Sequence, residues 1–240
     1  MKIAIIGYGK MGKEIEKAAI ERGHTISIII DLNNQGDIHP EKLSETNVAI
    51  EFSSPDAAYD NIMKCFNANI PVVSGTTGWL THLEEVREAC LKENKALFYA
   101  PNFSIGVNIF FKLNQELAKW MNKFRDYTVK LEEIHHIHKK DKPSGTAVEL
   151  ANGIIKNYEP KNKWIVDPVE DIEQDEIPIS SKREDMVPGT HIVQWDSEID
   201  SIEISHTAKN RKGFAIGAVI AAEFMYGKKG FFTMDDLMQF

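Results

Sequence analysis

Residues 135–146 read HHIHKKDKPSGT and bring together side chains that can move protons and attract anions. Histidine exchanges a proton near neutral pH, and lysine attracts negative charge. Pro143 and Ser144 predict the start of a helix with Ser144 as its N-cap. A helix N-terminus carries free N–H groups and a partial positive charge, so its place beside lysine and histidine favours a carboxylate-binding site. Taken alone, the run is also compatible with a solvated basic loop.

The histidine spacing HHxH at residues 135–138 raises a second interpretation, a zinc site. Zinc sites usually draw their ligands from two clusters, and this extended segment lacks the second one. The two cysteines of the chain, Cys65 and Cys90, do not form a CxxC motif. We therefore expect no bound metal and no disulfide framework, with both cysteines as thiols in a reducing compartment.

Residues 7–12 read GYGKMG, a GxGxxG pattern between a predicted strand and a predicted helix. Gly7 allows the tight turn, Gly9 lets the backbone approach a pyrophosphate, and Gly12 allows the helix to pack closely on the strand. The helix N-terminus at Lys10 and Met11 offers N–H donors to phosphate. The pattern predicts a dinucleotide-binding site, where the Lys10 ammonium either contacts a phosphate or remains in solvent.

Asp31 ends the next predicted strand, at the spacing typical of a carboxylate that binds the ribose of a dinucleotide. A carboxylate accepts hydrogen bonds from two ribose hydroxyls and repels a 2′-phosphate, which favours NADH. No arginine follows Asp31 directly. Since Lys10 could still reach a phosphate, NADPH remains a second candidate cofactor.

Two further segments follow predicted strands and offer polar groups or flexible backbone to a ligand. Residues 75–78 read GTTG, where glycine permits close backbone approach and threonine hydroxyls can form hydrogen bonds. Residues 100–104 read APNFS, where Pro101 stiffens the chain and Asn102 can bond the nicotinamide amide. Each segment has a structural alternative, an ordinary turn for the first and a cap formed by Asn102 for the second.

The first hundred residues alternate short apolar runs with amphipathic segments, which predicts strands alternating with helices. Short connections favour a parallel sheet with helices on both faces. Right-handed crossovers then place the carboxyl ends of all strands at one edge, where ligands bind. The predicted strands are 2–6, 25–30, 48–52, 71–74 and 96–99, and the predicted helices are 10–22, 55–67 and 80–93.

The pattern changes after Ser104, which predicts a second, α+β domain. Its first helix spans 106–124, with an apolar face of Ile109, Leu113, Leu117, Trp120 and Met121. The other predicted elements are a strand at 127–131, a helix at 144–157, a surface loop at 167–185, a hairpin of 190–195 with 201–205, a helix at 214–226 and an N-cap box at 233–236. We predict a dinucleotide-binding domain at 1–104, completed by 212–240, and a substrate-binding domain at 105–211.

Composition and charge narrow the class of protein further. The chain has 240 residues, of which 42% are hydrophobic and 27% charged, enough for a sizeable core and unlike disordered or collagen-like chains. The net charge of -8 argues against nucleic-acid binding, which needs clustered lysine and arginine. No apolar run reaches the roughly 20 residues of a membrane helix. The N-terminus runs directly into the glycine motif, and we expect a cytoplasmic protein that acts on a small molecule.

Together these motifs resemble those of the bacterial 4-hydroxy-tetrahydrodipicolinate reductases, also called dihydrodipicolinate reductases. The matching segments lie in the family's order across nearly the whole chain, and they are GYGKMG, GTTGW, APNFSIGVN, EEIHHIHKKDKPSGTA and IEISHTAKNRKGFAIGAV. The histidine-rich block is far more specific than the glycine pattern. The chain departs from the family in a glycine loop one residue shorter than the common GxGGRMG form, and in the few residues between Asp31 and Val48.

The resemblance implies a Rossmann-type α/β domain joined to an α+β, mixed-sheet domain that builds a homotetramer. It implies reduction of a cyclic dicarboxylate with NADH or NADPH in the diaminopimelate and lysine pathway. His135 matches the family's proton donor and acceptor, and Lys139 its second proton donor. The matching substrate-binding positions are His136, Gly145 and Thr146. With the glycine loop and Asp31 included, the cofactor-binding set is Gly7, Gly9, Lys10, Met11, Gly12, Asp31, Gly75, Thr76, Thr77, Ala100, Pro101, Asn102 and Phe103.

Two other functions fit parts of the sequence. A different Rossmann reductase or dehydrogenase, acting on another amino-acid-derived acid, needs the glycine motif but not the histidine block. A non-catalytic NAD-binding sensor would tolerate the loss of His135 and Lys139. Only the reductase therefore requires the histidine block at residues 135–146, and this requirement separates it from both alternatives.

Overall fold

The computed structural model describes residues 1–168 and 172–240. They form two compact units, of which the first joins Met1–Ile105 with Arg211–Phe240 and the second comprises Gly106–Asn210. In the part of the chain that the structure describes, no helix is long and apolar enough to cross a membrane.

A six-stranded sheet forms the centre of the first unit, and each strand runs parallel to its neighbours. Its central strands consist mainly of buried aliphatic residues, as expected where helices cover both faces of a sheet. The strands are β1 (Lys2–Ile6), β2 (Thr25–Ile30), β3 (Val48–Glu51), β4 (Val72–Ser74), β5 (Ala96–Tyr99) and β11 (Gly230–Phe232), in the sheet order β11-β5-β4-β3-β1-β2. The sequence predicted the first five, whereas the edge strand β11 was missed because three residues carry too little pattern.

Helices on the two faces of this sheet form two separate cores. They are α1 (Lys10–Glu21), α2 (Pro55–Asn67), α3 (Leu83–Lys92), α6 (Lys212–Met225) and α7 (Met234–Met238). Ile3 and Ile5 share one core with residues of α1 and α6, while Ala4 and Ile6 share the other with residues of α2 and α3. Alternate side chains of β1 thus enter the cores on opposite faces of the sheet. The ends of the strands remain available for a ligand site.

Helix α6 packs through a run of small residues that permits unusually close approach. A Cβ atom placed on Gly217 would overlap the carbonyl oxygen of Phe103. Gly213, in the first turn of the same helix, is exposed, and a Cβ atom there would lie 3.9 Å from the Ser104 hydroxyl, an ordinary contact. The seating of α6 against the segment after β5 therefore depends on glycine at position 217.

A mixed five-stranded sheet forms the second unit. Its strands are β6 (Thr128–His135), β7 (Lys163–Val166), β8 (Glu176–Arg183), β9 (Thr190–Asp196) and β10 (Ser201–Thr207), in the order β10-β9-β6-β8-β7. β6 is antiparallel to β9 and parallel to β8, so it is the strand where the direction of pairing changes. The helices of this unit are α4 (Ile105–Met121), whose first residue still belongs to the first unit, and α5 (Gly145–Asn157). A parallel sheet covered by helices, joined to a mixed sheet, confirms the predicted fold class.

The buried face of α4 matches the predicted one only in part, since Met121 is buried and Leu117 packs against the core of the second unit. Ile109, Leu113 and Trp120 are 43%, 54% and 62% exposed, whereas Phe110 and Ala118 are buried. The buried stripe also includes Asn114, whose amide donates to the carbonyl of Leu150 at 2.9 Å. Because buried Asn114 is polar, the apolar residues of the sequence suggest a face about one position away from the one that packs. Its hydrogen bond makes its burial possible.

The predicted surface loop at 167–185 is wrong over half of its described length. Residues 176–183 form β8, which lies inside the sheet between β6 and β7, and β7 was not predicted at all. The alternation that marks β8 is real, since Ile177, Ile179 and Ser181 are buried, but acidic and basic neighbours mask it in the sequence. The residues of that prediction at 169–171 lie outside the described part of the chain. β6 also runs further than predicted, to His135.

Replacing Gly217 by alanine should destabilise the first unit, because the new methyl group would overlap the Phe103 carbonyl. We expect the free energy of unfolding, measured by urea denaturation, to fall by about 1–3 kcal/mol or more. Gly213→Ala is the matched control on the same helix and should change stability by no more than about 1 kcal/mol. Equal stability of the two variants would contradict the close packing described here.

Candidate active site

Two neighbouring cavities lie at the carboxyl edge of the parallel sheet. The first, of about 460 Å³, is lined by Gly7, Gly9 and Asp31 together with Tyr8 and Phe52. The second, of about 440 Å³, shares Gly9 and Phe52 with the first. Its other predicted lining residues are Lys10, Met11, Gly75, Thr76 and Thr77. The structure thus gathers most of the predicted cofactor-binding residues at one edge.

The glycine loop has the geometry that a dinucleotide requires. Gly7 adopts φ +92°, and a Cβ atom there would overlap the backbone of Phe52. A Cβ atom on Gly12 would overlap the carbonyl oxygen of Gly7, so this glycine sets the distance between α1 and the loop. Gly9 has open space around its Cα and is the N-cap of α1, where it offers no side-chain hydrogen bond to the first turn. Open space beside uncapped N–H groups fits a pyrophosphate.

Asp31 lies where β2 ends and lines the larger cavity. Its Oδ1 accepts the Asn33 N–H at 2.8 Å, and its own N–H donates to Asn34 Oδ1 at 2.8 Å. The turn after β2 therefore fixes the carboxylate at the wall of the cavity. The sequence predicted the residue but did not single out the cavity residue Tyr8.

The threonines after β4 have different environments. Thr76 is buried, and its hydroxyl donates to Glu51 at 2.9 Å and accepts the Ser53 N–H at 2.9 Å. Glu51 has no exposure to water and also accepts the hydroxyls of Ser53 and Ser74. Thr77 is exposed at the smaller cavity. Thr76 therefore holds the loop in place, while Thr77 is available to a ligand.

Residues 100–103 do not line either of these two cavities. Ala100 and Phe103 are buried, and the Phe103 ring packs against Phe52 at 5.6 Å between centroids. Asn102 Oδ1 accepts the Ser104 N–H at 2.9 Å, which is the capping alternative considered for this side chain. Pro101 is exposed. Contact of this segment with a cofactor stays a prediction.

In the second unit, His135 ends β6 beside a buried carboxylate. Glu133 Oε2 lies 3.0 Å from His135 Nδ1 and 3.8 Å from His191 Nε2. The two imidazole rings meet edge to face, with centroids 4.9 Å apart. All three side chains are buried, and their ligand atoms lie within 4.8 Å of one another. This cluster is not the HHxH run considered above as a zinc site. It takes two residues from β6 and one from β9, and shares only His135 with that run.

The other oxygen of Glu133 is held by three groups. Oε1 accepts the Ser144 N–H at 3.1 Å, the Ser181 hydroxyl, and the Arg183 guanidinium at 3.2 Å. Burial alone would raise the pKa of Glu133, but hydrogen bonds from His135, Ser144 and Ser181 outweigh it and hold the pKa well below the usual range. The carboxylate is therefore ionised at neutral pH.

His191 is kept neutral by its surroundings. Burial, followed by repulsion from His135, lowers the pKa of His191 to about 3, although the Glu133 carboxylate opposes this shift. Its Nε2 lies 3.0 Å from the hydroxyl of Ser144. His191 therefore packs as an uncharged polar ring between the carboxylate and the start of α5.

Ser144 is the N-cap of α5, as predicted, and its hydroxyl accepts the Ala147 N–H at 3.2 Å. Gly145 and Thr146 open the helix, exposed and half-buried respectively. The helix start is thus tied through Ser144 to both Glu133 and His191. Its remaining N–H groups provide the predicted place for a carboxylate.

The loop between β6 and α5 carries the other predicted residues. The Lys139 ammonium lies 2.7 and 2.8 Å from the two carboxylate oxygens of Asp141. Arg183 donates to the carbonyl of Asp141 at 2.6 Å and to that of Lys139 at 3.4 Å. His136, the predicted substrate-binding histidine, is half-buried at the start of this loop. Arg183 therefore links the loop to Glu133.

Sequence reasoning missed Glu133, Arg183 and His191, which organise this site. Glu133 stands two residues before His135, so strand alternation offered one signal, since both side chains lie on the same face of β6. Arg183 and His191 come from β8 and β9, about 50 residues further along the chain. Their neighbourhood follows from sheet order, which the sequence did not reveal.

Comparisons with known proteins cover both units. The family models described as dihydrodipicolinate reductase, N-terminus and C-terminus, match residues 1–103 and 106–238. A 4-hydroxy-tetrahydrodipicolinate reductase of Christiangramia forsetii is 51% identical over 238 residues, which cover 99% of this chain and 98% of the relative. The reductase of the same name from Thermosipho africanus is 36% identical over 241 residues, covering 100% and 98%.

A solved structure supports the fold independently. A dipicolinate-bound dihydrodipicolinate reductase from Paenisporosarcina aligns with a TM-score of 0.81 over 97% of each chain, at 23% sequence identity. At this level of identity, the likeness establishes the shared architecture.

Gly9→Ala tests whether the glycine loop binds a dinucleotide. A Cβ atom at this position meets nothing within 4 Å and φ is -79°, so the melting temperature should not change. The methyl group would occupy the space of the pyrophosphate, and the NADH dissociation constant in a fluorescence titration should rise about tenfold or more. Gly36→Ala, also in open space but outside both cavity linings, should leave binding unchanged. Unaltered NADH binding by Gly9→Ala would contradict the assignment.

Proposed function

The chain belongs to the dihydrodipicolinate reductase family, and from that membership and the geometry of its two sites we propose that it reduces 4-hydroxy-tetrahydrodipicolinate to tetrahydrodipicolinate. It is an oxidoreductase with a Rossmann-like fold for a nicotinamide dinucleotide. The observation that carries the proposal is a single segment in which His135, Lys139 and the start of α5 follow one another beside buried Glu133.

The substrate is a cyclic dicarboxylate, which an acidic chain of net charge -8 must attract locally. We assign this attraction to Lys139, His136 and the N–H groups of Gly145 and Thr146 at the start of α5. Lys139 is paired with Asp141 in this structure. A substrate carboxylate that displaced Asp141 would bring the ammonium next to the substrate ring.

The net reaction adds one hydride and one proton to the substrate and releases one water. The nicotinamide dinucleotide, when bound, supplies the hydride. Loss of water takes the hydroxyl group together with a proton from the neighbouring ring carbon, and hydride addition is followed by protonation of the ring. We assign to His135 and Lys139 the protonation of the departing hydroxyl group and of the ring, and the proton released from the ring carbon replaces one of these two. A positioned acid of this kind contributes typically about 10²–10⁴-fold to the rate.

The division of labour between the units is part of the proposal. Residues 1–104, completed by 212–240, would bind the dinucleotide, and residues 105–211 would bind substrate and form a homotetramer. The two compact units and the two groups of candidate residues support this assignment. The family's place in the diaminopimelate and lysine pathway supports a small-molecule partner and a cytoplasmic location.

We propose that Asp31 makes NADH the preferred cofactor. Its carboxylate is fixed by Asn33 and Asn34 at the cavity wall, where it would accept the ribose hydroxyls and repel a 2′-phosphate. Lys10 lines the neighbouring cavity and would attract cofactor phosphates of either dinucleotide.

A coupled assay tests the reaction itself. Substrate generated in place by a synthase would be mixed with the protein and NADH or NADPH, and oxidation followed by the loss of nicotinamide absorbance. We expect oxidation only when substrate is present. No oxidation of either dinucleotide would refute the proposed activity.

Lys139→Ala should lower kcat by about 10²–10⁴-fold, because it removes a proton source and a substrate contact. NADH affinity and the melting temperature should be unchanged, since the Lys139 ammonium pairs with the exposed carboxylate of Asp141. Lys140→Ala, one residue further along the same loop and exposed, is the control and should keep normal turnover. Near-normal turnover by Lys139→Ala would reject the assigned role.

Asp31→Asn should separate the two cofactors. The amide oxygen can still accept the Asn33 N–H, so the turn is kept while the charge is lost. We expect the NADH dissociation constant to rise about 10- to 100-fold, and NADPH affinity to stay constant or improve. Isothermal titration with both dinucleotides measures the ratio, and an equal loss for both would show that Asp31 does not touch the ribose.

A further inference from the structure

We propose that Glu133 is a positioning residue for His135: its Oε2 lies close enough to accept the Nδ1–H once the ring turns into line, so that His135 exchanges its proton with substrate through Nε2. This inference rests on the proposed function for the role of His135, but the contact between the two side chains can be tested without it.

The two oxygens of Glu133 have different partners. Oε1 is occupied by the Ser144 N–H, the Ser181 hydroxyl and the Arg183 guanidinium. Oε2 lies 3.0 Å from His135 Nδ1, nearer than His191 Nε2 at 3.8 Å, and the ring N–H is not yet in line with it in this structure. Because Oε1 is anchored by three groups from α5 and β8, Oε2 is held towards His135.

An ionised carboxylate can only accept hydrogen bonds, so the His135 nitrogen that faces it must carry the hydrogen. Glu133 is ionised because its hydrogen-bond donors hold its pKa below the usual range despite burial. Neutral His135 is then the Nδ1–H tautomer, with a free electron pair on Nε2. A proton gained or released by the ring must pass through Nε2.

The space around His135 supports the same assignment. Gly189 lies beside the Nε2 edge of the ring, where a Cβ atom would approach Nε2 to 3.0 Å and Cδ2 to 3.2 Å. Glycine at this position therefore spares the Nε2 edge a contact that any larger residue would make. His191 is uncharged, with a pKa lowered to about 3, and contacts the ring edge to face, so it braces His135 without competing for the carboxylate as a cation.

The same carboxylate also fixes the proposed anion site. The Ser144 N–H donates to Glu133, and Ser144 caps α5, whose first residues are Gly145 and Thr146. Glu133 thus places the proton-transferring ring and the substrate-binding helix start in one fixed arrangement. Its removal should affect the chemical step more than cofactor binding, which we assign to the other unit.

A metal ion is the main alternative use of this cluster, since the three ligand atoms lie within 4.8 Å of one another. Arg183 argues against it. The guanidinium already contacts the Glu133 carboxylate at 3.2 Å and would repel a divalent cation bound to the same group. We therefore assign the cluster to proton transfer.

The first experiment uses the unaltered protein labelled with ¹⁵N-histidine. Ring nitrogen shifts would be recorded at about pH 9, where ordinary histidine is neutral, and assigned by comparison with His135→Asn. We expect His135 to be the Nδ1–H tautomer, with no change on adding a chelator. The Nε2–H tautomer, or a shift caused by the chelator, would overturn the proposal whether or not the protein reduces the proposed substrate.

The second experiment replaces the charge with a matched amide. In Glu133→Gln the amide –NH₂ can donate to His135 Nδ1, which moves the ring hydrogen to Nε2. We expect the tautomer to change and kcat to fall about 10²–10⁴-fold, with KM within a few-fold and NADH affinity unchanged. Glu132→Gln is the control and should keep full turnover. Glu132 is the preceding residue of β6, and its Oε2 lies 2.7 Å from Lys182 Nζ.

Glu133→Asp covers the case in which Glu133→Gln does not fold. It keeps the charge that balances Arg183 and should retain the Nδ1–H tautomer with partial turnover. If the unaltered enzyme is active, normal kcat in Glu133→Gln, or loss of the Nδ1–H tautomer in a folded Glu133→Asp, would overturn the positioning role. An inactive unaltered enzyme would reject the proposed function instead, and the tautomer measurement would still decide the contact.

Discussion

A carboxylate without exposure to water lies beneath the candidate site in each unit, and both sites are organised by the need to satisfy it. An ionised carboxylate buried without partners is strongly destabilising, so its neighbours must supply hydrogen bonds or positive charge. Glu51 is satisfied by the hydroxyls of Ser53 and Thr76, which follow β3 and β4, and by that of Ser74 at the end of β4. At Glu133, a guanidinium and serine groups satisfy Oε1, and the His135 imidazole lies 3.0 Å from Oε2. In both places the carboxylate fixes residues that are distant in sequence.

Much of the fold could be predicted from the sequence because its signals are local. The glycine loop, the β-branched runs of the first five strands and the Ser144 cap each depend on a few adjacent residues. The predicted fold class is confirmed for the same reason, since alternating strands and helices favour a parallel sheet. The roles of His135, Lys139 and the cofactor-binding residues stay predictions that geometry and family membership support.

What the sequence did not reveal depends on neighbours distant along the chain. The face of α4 that packs was misjudged because Asn114 is buried and hydrogen-bonded to Leu150, a partner on another helix. β8 was interpreted as a loop because its charged residues hide the alternation of buried and exposed positions. One of them, Arg183, finds its partner in Glu133 on the neighbouring strand β6. The three residues that complete the second site come from three strands, and only the order of the strands brings them together.

The return of the chain to the first unit after residue 210 has a consequence for biosynthesis. Helix α6 contributes much of the core that Ile3 and Ile5 enter, and β11 adds the last strand beside β5. Residues 1–105 therefore leave the ribosome with one face of their sheet only partly covered, while Gly106–Asn210 is continuous and can complete its own sheet first. The part of the chain made first is the last to be finished. Its exposed aliphatic face is where a nascent chain of this protein should engage chaperones.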